Sequence, residues 1–196
     1  MSATADLTLR ETAELAGVSK AVVEKAVEAR VIATRKRAPR LKGGGTLYVS
    51  VYAVAYFAAL KRAELVDLPV KHKKAIWTKL LRLRHGDLGP VEFARGATLD
   101  VATLAAGHFE AATRYRATRD AHIVSDPDIL GGTPVIRGTR LTVYAVLARL
   151  KGGETVDDFA ADYPDIPREA FEAAALFAEA HPRRGRPDRR RFRNAA

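Results

Sequence analysis

The chain has 196 residues, 47% of them hydrophobic, and 33 Lys and Arg against 23 Asp and Glu give it a net charge of +10. That length and apolar content set it apart from disordered polypeptides and allow one large domain or two small ones with real cores. The absence of cysteine excludes a disulfide framework and a thiolate metal site; with no apolar signal core in MSATADLTLR and no membrane-length apolar run, a soluble, cytoplasmic protein is expected.

The charge is unevenly spread. Residues 1–95 hold 18 basic and 9 acidic side chains (+9), residues 96–153 hold 7 and 5 (+2), residues 154–181 hold 1 and 8 (−7), and residues 182–196 hold 7 and 1 (+6). A basic front half and a basic tail thus flank an acidic module, and basic surfaces attract polyanions while acidic ones repel phosphates.

Thr8 to Val31 has the pattern of a helix-turn-helix. Thr8 and Glu11 form a capping box, in which hydroxyl and carboxylate each take an orphan backbone N–H. Gly17 permits the sharp turn, Val18 plugs it, and Ser19 can cap the second helix. Val23, Ala26 and Val27 then face the core, leaving Lys20, Ala21, Glu24 and Lys25 outward. The pattern L-x-x-x-A-x-x-x-G-V-S, with a later V-I, resembles the helix-turn-helix of MerR-like and related winged regulators.

Two β-prone runs, Val31 to Lys36 and Thr46 to Ser50, come next, separated by a loop rich in Arg, Lys and Gly. Between Arg30 and Lys42 there are six basic residues and no acidic one. Such a hairpin has the layout of a wing that lies along a phosphate backbone and releases counterions; a solvated hairpin with an incidental charge run is the alternative. The expected DNA-binding set is Ser19, Lys20, Lys25, Arg35, Lys36, Arg37, Arg40 and Lys42.

Ser50 is placed to cap a helix through about Leu65 that is apolar on more than one side. Asp67 and Pro69 open another, in which Ile76, Trp77, Leu80, Leu81 and Arg84 follow i, i+1, i+4, i+5 spacing, with Gly86 as its stop. Val91 to Leu104 is expected to hold a strand pairing with part of a later hairpin block, and Ala106 to Asp120 a helix.

That later block, His122 to Tyr144, has the densest structure-dictating residues. Asp126-Pro127-Asp128 cannot continue a helix. Gly131-Gly132 tolerates positive φ, Thr133 to Ile136 reads as a short strand, and Gly138 centres a second turn. From Leu141 the helical apolar period returns. The run S-D-P-D-I-L-G-G-T-P-V-I-R-G-T-R, followed by Tyr163-Pro164-Asp165, resembles the domain-of-unknown-function family 433. The resemblance covers Ile123 to about Ala180, and it implies a VapB-type antitoxin of a bacterial toxin–antitoxin pair.

A helix from Leu141 to Lys151 stops at Gly152-Gly153. Thr155 and Asp158 make a second capping box for a helix ending at Tyr163-Pro164, and Pro167 opens a third that runs to about Ala180. Phe159, Ile166, Phe171, Ala174 and Phe177 are the expected core. The outward Glu169, Glu172 and Glu179, opposed by Arg168 alone, make the last helix a poor DNA contact and suit a packing or dimerisation platform. Arg137 and Arg140 are expected to orient the turn or meet carboxylates.

The tail from His181 carries seven arginines and one apolar anchor, Phe192. Its Pro and Gly discourage a helix, and its arginines form bidentate bonds to carboxylates. The family resemblance implies a PIN-domain ribonuclease toxin as partner, whose clustered acidic residues hold Mg²⁺; Arg183, Arg184, Arg186, Arg189, Arg190, Arg191, Phe192 and Arg193 would occupy that site, an arginine displacing the metal. Nonspecific nucleic-acid binding and simple solubilisation are the competing readings of the tail.

No catalytic constellation is legible. The five histidines lack metal-ligand spacing, and Gly131-Gly132-Thr133-Pro134 lacks the lysine of a phosphate loop. The expectation is therefore a non-enzymatic protein without cofactor or metal. Its fold is α+β and mainly α: a winged helix-turn-helix unit with extra helices in 1–95, strands, hairpin and a three-helix unit in 96–181, and a disordered tail in 182–196. The expected function is an antitoxin and autorepressor that binds operator DNA as a homodimer, away from any membrane. A stand-alone winged-helix regulator without toxin partner is the runner-up.

Overall fold

The computed structural model describes residues 6–37, 46–83 and 88–183. The fold is mainly helical with short antiparallel strand pairs, an α+β arrangement. Strand β1 (Asp6–Thr8) leads directly into α1 (Leu9–Ala16), and α2 (Lys20–Glu28) follows after a tight turn. Strands β2 (Arg35–Arg37) and β3 (Thr46–Ser50) complete a three-stranded antiparallel sheet in the order β1-β3-β2.

The Thr8 capping box forms as the sequence predicts. The Thr8 N–H donates to Glu11 Oε2 at 2.7 Å and the Glu11 N–H to Thr8 Oγ1 at 3.2 Å. Gly17 closes α1 in the left-handed region, at φ 64°, so that its N–H and that of Val18 return to carbonyls of the last turn. Ser19 does stand at the N-cap of α2, but its side chain makes no capping bond; the short turn brings Val22 N–H back to the Ser19 carbonyl instead.

Helix α3 (Tyr52–Arg62) is the centre of the molecule, with every residue from Ala53 to Leu60 buried. A helix apolar on all sides has to be surrounded, and α1, α4 (Val70–Leu80) and α5 (Val101–His122) pack around it. Ser50 accepts only a 3.4 Å bond from the Tyr52 N–H, and Val51 is the N-cap. On α4, Ile76, Trp77 and Leu80 are buried as the spacing predicts, whereas Leu81, expected on the same face, is 47% exposed. Leu81 is already the C-cap, so the helical period no longer carries it inward. Arg84 and Gly86 lie outside the described residues.

The 91–104 segment corrects one expectation. Strand β4 (Pro90–Ala94) pairs with β5 (Ala97–Asp100), its neighbour, and not with the later hairpin block. Gly96, at φ 74°, supplies the turn that lets adjacent strands meet. Helix α5 also starts earlier than expected: Asp100 caps it, accepting the Thr103 N–H at 3.1 Å, and the helix runs 22 residues. Strand β6 (Ile123–Val124) pairs with β7 (Val135–Ile136). Between them a 3₁₀ turn, Leu130–Gly132, carries Gly131 and Gly132 at positive φ.

The C-terminal helices follow their sequence signals closely. Helix α6 (Val143–Lys151) is capped by Thr142, α7 (Val156–Asp162) by the Thr155–Asp158 box, and α8 (Arg168–Ala180) begins after Pro167. Phe159, Phe171, Ala174 and Phe177 are buried, with Ile166 partly so. Helix α8 packs on α6, α7, α5 and α1, so one continuous core runs from Leu7 through α3 to Phe177 and Ala178.

Candidate nucleic-acid interface

What holds α1 in place is a buried ionic cluster. Glu11, the capping-box carboxylate, is 1% exposed, and Arg119 of α5 is 4% exposed. Arg119 Nη1 donates to Glu11 Oε1 at 2.9 Å, and the Tyr115 hydroxyl donates to the same oxygen at 2.8 Å. Arg119 also donates through Nε and Nη2 to Asp120, at 3.0 and 2.9 Å. A buried charge is tolerated only when paired and hydrogen-bonded, and here both carboxylate oxygens of Glu11 have donors.

The electrostatics follow from that pairing. Burial alone would raise the Glu11 carboxyl, but Arg119, His181, the Thr8 N–H and the Tyr115 hydroxyl together hold it below its ordinary value. Burial and the Glu11 charge push the Tyr115 hydroxyl well up. His181, the C-cap of α8, is held below its usual range by burial first, against an opposing pull from Glu11. A cavity of about 30 Å³, room for about one water, adjoins Thr8, Glu11, Arg119 and His181.

On this anchored frame, α1, the Gly17 turn, α2 and the β2–β3 strands expose cations, with Glu14 and Glu28 exposed among them. Ser19, Lys20, Lys25 and Arg35 are exposed. Lys20 pairs with Glu24 one turn on, and among the described residues no carboxylate pairs with Lys25 or Arg35. Lys36 and Arg37 pair through their backbones with Leu47 and Thr46. Arg40 and Lys42 lie outside the described residues. Arg30, which sequence reasoning counted only toward the charge of the loop, turns the chain out of α2 in the left-handed region, at φ 53°.

At the other end, Glu169, Glu172 and Glu179 are all exposed on α8, while its opposite side is core. Arg168 pairs with Asp157, and Arg149 with Glu154 and Asp162, so this module consumes its own cations. Arg137 orients the hairpin by donating from Nε to the Ala121 carbonyl at 2.7 Å. Arg183 lies over the Tyr144 ring at 4.7 Å, and the Tyr144 hydroxyl donates to the His181 carbonyl at 2.9 Å, fixing where the chain leaves α8. Arg184, Arg186, Arg189, Arg190, Arg191, Phe192 and Arg193 lie outside the described residues.

The hairpin-and-three-helix segment matches a known family model. Residues 123–178 match the family described as a protein of unknown function, DUF433. The matched segment therefore begins at β6 and ends within α8. An uncharacterized protein, y4eO, of Sinorhizobium fredii is 40% identical over 89 residues, which is 45% of this chain. The match spans 40% of that relative's length. The X-ray crystal structure of Rv2018 from Mycobacterium tuberculosis is 18% identical, with 86% of this chain and 96% of that one aligned. Its TM-score is 0.34, a level of likeness that carries no argument about fold. Among the described residues, no group of His, Asp or Glu side chains is placed to hold a metal ion, and no helix is long and apolar enough to cross a membrane.

Proposed function

We propose that this chain binds duplex DNA through its N-terminal unit and acts as the antitoxin of a type II toxin–antitoxin pair, repressing its own operon. In this reading α2 enters the major groove, and the β2–β3 hairpin lies along the phosphate backbone. The observation that carries the DNA part is the exposed set Lys20, Lys25 and Arg35 on one helix–turn–helix–hairpin frame, in contrast to the acidic exposed positions of α8. Base reading by α2 is modest, because Ala21, Val22 and Glu24 offer little beyond contact with thymine methyls. Affinity then comes mainly from phosphate contacts and from pairing of two copies on a palindromic operator.

The antitoxin part rests on the DUF433 segment and on the arginine-rich sequence that begins at Arg183. Arginines there would bind the clustered carboxylates of a PIN-domain ribonuclease and displace its Mg²⁺. The winged unit would hold the operator while the tail neutralises the enzyme.

Gel shifts with the upstream promoter test the first part. Salt-sensitive binding, lost when Arg35, Lys36 and Arg37 are all changed to Gln, is the expected result; no binding at low salt removes the reading. Truncation before Pro182 tests the second: it should release ribonuclease activity of a co-expressed neighbouring protein while DNA binding persists. Full inhibition by the truncated chain would take the toxin-binding role away from the tail.

A further inference from the structure

Beside the α1–α2 turn, α3 and α5 bring three basic side chains together. Lys61 and Arg62 end α3, and Leu104 and His108 lie one turn apart near the start of α5. Lys61 Nζ donates to the carbonyl of Gly17, and Arg62 Nη1 donates to the carbonyl of Leu104 at 3.3 Å. An ammonium has three donors and a guanidinium five, so each head group keeps most of its hydrogen-bonding capacity after these contacts. Both side chains are exposed, and His108 is half-buried.

The Arg62 bond to the Leu104 carbonyl brings the guanidinium to the turn of α5 that carries His108. His108 is held below its ordinary value by burial, then by Arg62 and Lys61. No carboxylate pairs with any of the three among the described residues. This is not the usual freely moving cationic face of a helix. Two long side chains have already given up rotamer freedom to backbone carbonyls on two different elements, and they stand beside a histidine with no countercharge. An anion bridging them would relieve the mutual repulsion at little further ordering cost. Gly17, which Lys61 touches, is three residues before Lys20, so the cluster borders the face that the DNA-binding reading turns toward duplex.

We propose that Lys61, Arg62 and His108 form a phosphate-binding site at the edge of the α1–α2 turn, occupied in the operator complex by a backbone phosphate. The assignment of DNA as the source rests on the DNA-binding reading above; the site itself does not. A phosphate oxygen accepts from Arg62 and Lys61, and His108 takes a proton from solvent and becomes a third donor when the anion is bound.

Two measurements on the full chain test it. In the first, the His108 ring is titrated by NMR in inorganic phosphate and in sodium chloride of equal ionic strength. Chloride alone raises the midpoint somewhat by screening Lys61 and Arg62; phosphate should raise it further, and Arg62→Gln should erase the difference. Equal midpoints in the two salts overturn the site. In the second, promoter affinity is measured against salt. Arg62→Gln and Lys61→Gln should each reduce the slope of log affinity on log salt by about 1. Arg149→Gln should not change it, since Arg149 is paired with Glu154 and Asp162 in the C-terminal module. Wild-type slopes in both variants, with His108 still responding to phosphate, make the ligand free phosphate and overturn DNA as its source. Failure of the wild type to bind any duplex removes the DNA-binding reading while the NMR result stands by itself. Arg62→Gln leaves the Gly17 contact intact, so a folding defect in Lys61→Gln does not decide the matter.

Discussion

Glu11 does two jobs with one carboxylate. Oε2 completes the capping box of α1, and Oε1 receives Tyr115 and Arg119 from a helix more than a hundred residues away. Removing one partner of a buried pair leaves the other uncompensated, so Glu11→Gln should lower unfolding stability by about 3 kcal/mol, measured by urea denaturation. Adding Arg119→Met should recover part of that loss, because the orphaned charge leaves with its partner. The pH dependence has a definite sign. Both Glu11 and His181 titrate lower in the folded chain than their ordinary values of 4.5 and 6.5. In each window the unfolded chain binds more protons, so stability is full above the ordinary value and falls as pH drops toward the folded one. Thermal unfolding should therefore show a first loss below about pH 6.5 and a second below about pH 4.5. His108, also held below its ordinary value chiefly by burial, adds to the first loss. His181→Gln should therefore shrink it, His181→Gln with His108→Gln should remove it, and both should leave the second; a first loss undiminished in His181→Gln would place it on another group. The capping role of Glu11 was legible from the Thr8–Glu11 spacing, but its pairing was not, because nothing local to either residue marks a partner at that separation.

Helices here begin and end where local chemistry requires. Thr8, Asp100, Thr142 and Thr155 each accept an orphan N–H. The spacing to Glu11 and Asp158 marks Thr8 and Thr155 in the sequence. Asp100 and Thr142 have no such box partner: Asp100 lies ahead of the helix start expected at Ala106, and Thr142 one residue past the start expected at Leu141. Gly17 is the most demanding of the turns. It sits at φ 64°, and a Cβ there would stand 3.3 Å from Lys61 Nζ. Gly17→Ala should cost about 1–2 kcal/mol by the strain of a left-handed alanine, measured by urea unfolding. In the DNA-binding reading it should also weaken promoter affinity by displacing Lys61 and α2 together. Ser19 shows the opposite lesson. Its type and position suit a cap, but the turn closes through backbone bonds, and the hydroxyl is left out. The β4–β5 pairing was misread for a similar reason: Arg95-Gly96 is a short turn signal, and adjacent strands joined by such a turn meet each other before either reaches a distant partner.

At the scale of the whole molecule, the two halves that charge and composition divide at residue 95 share their core. Helix α3 packs on α5, and α8 reaches α1, with the Glu11–Arg119 pair buried between α1 and α5. Trp77, the one tryptophan of the chain, is buried on α4 in the front half, and much of the C-terminal half is helix. Unfolding followed by Trp77 fluorescence and by far-ultraviolet circular dichroism should therefore give coincident transitions, as in a single cooperative unit. Separated midpoints would mean that the halves unfold independently.

The sequence by itself determined the helix ends set by the Thr8 and Thr155 boxes, Gly17 and Gly152, the aromatic core of the C-terminal helices, the uneven charge, and the hairpin block that carries the family resemblance. These are local quantities: a cap bond spans three residues, a helical period four, and a charge count needs no partner. Only the tertiary structure decided that Glu11 pairs with Arg119, that α8 is buried against α1, and that Lys61, Arg62 and His108 meet beside the Gly17 turn. Each of those joins residues far apart in the chain, and the burial that makes a charge pair strong or a cationic cluster unfavourable exists only once α3 has gathered the other helices around it.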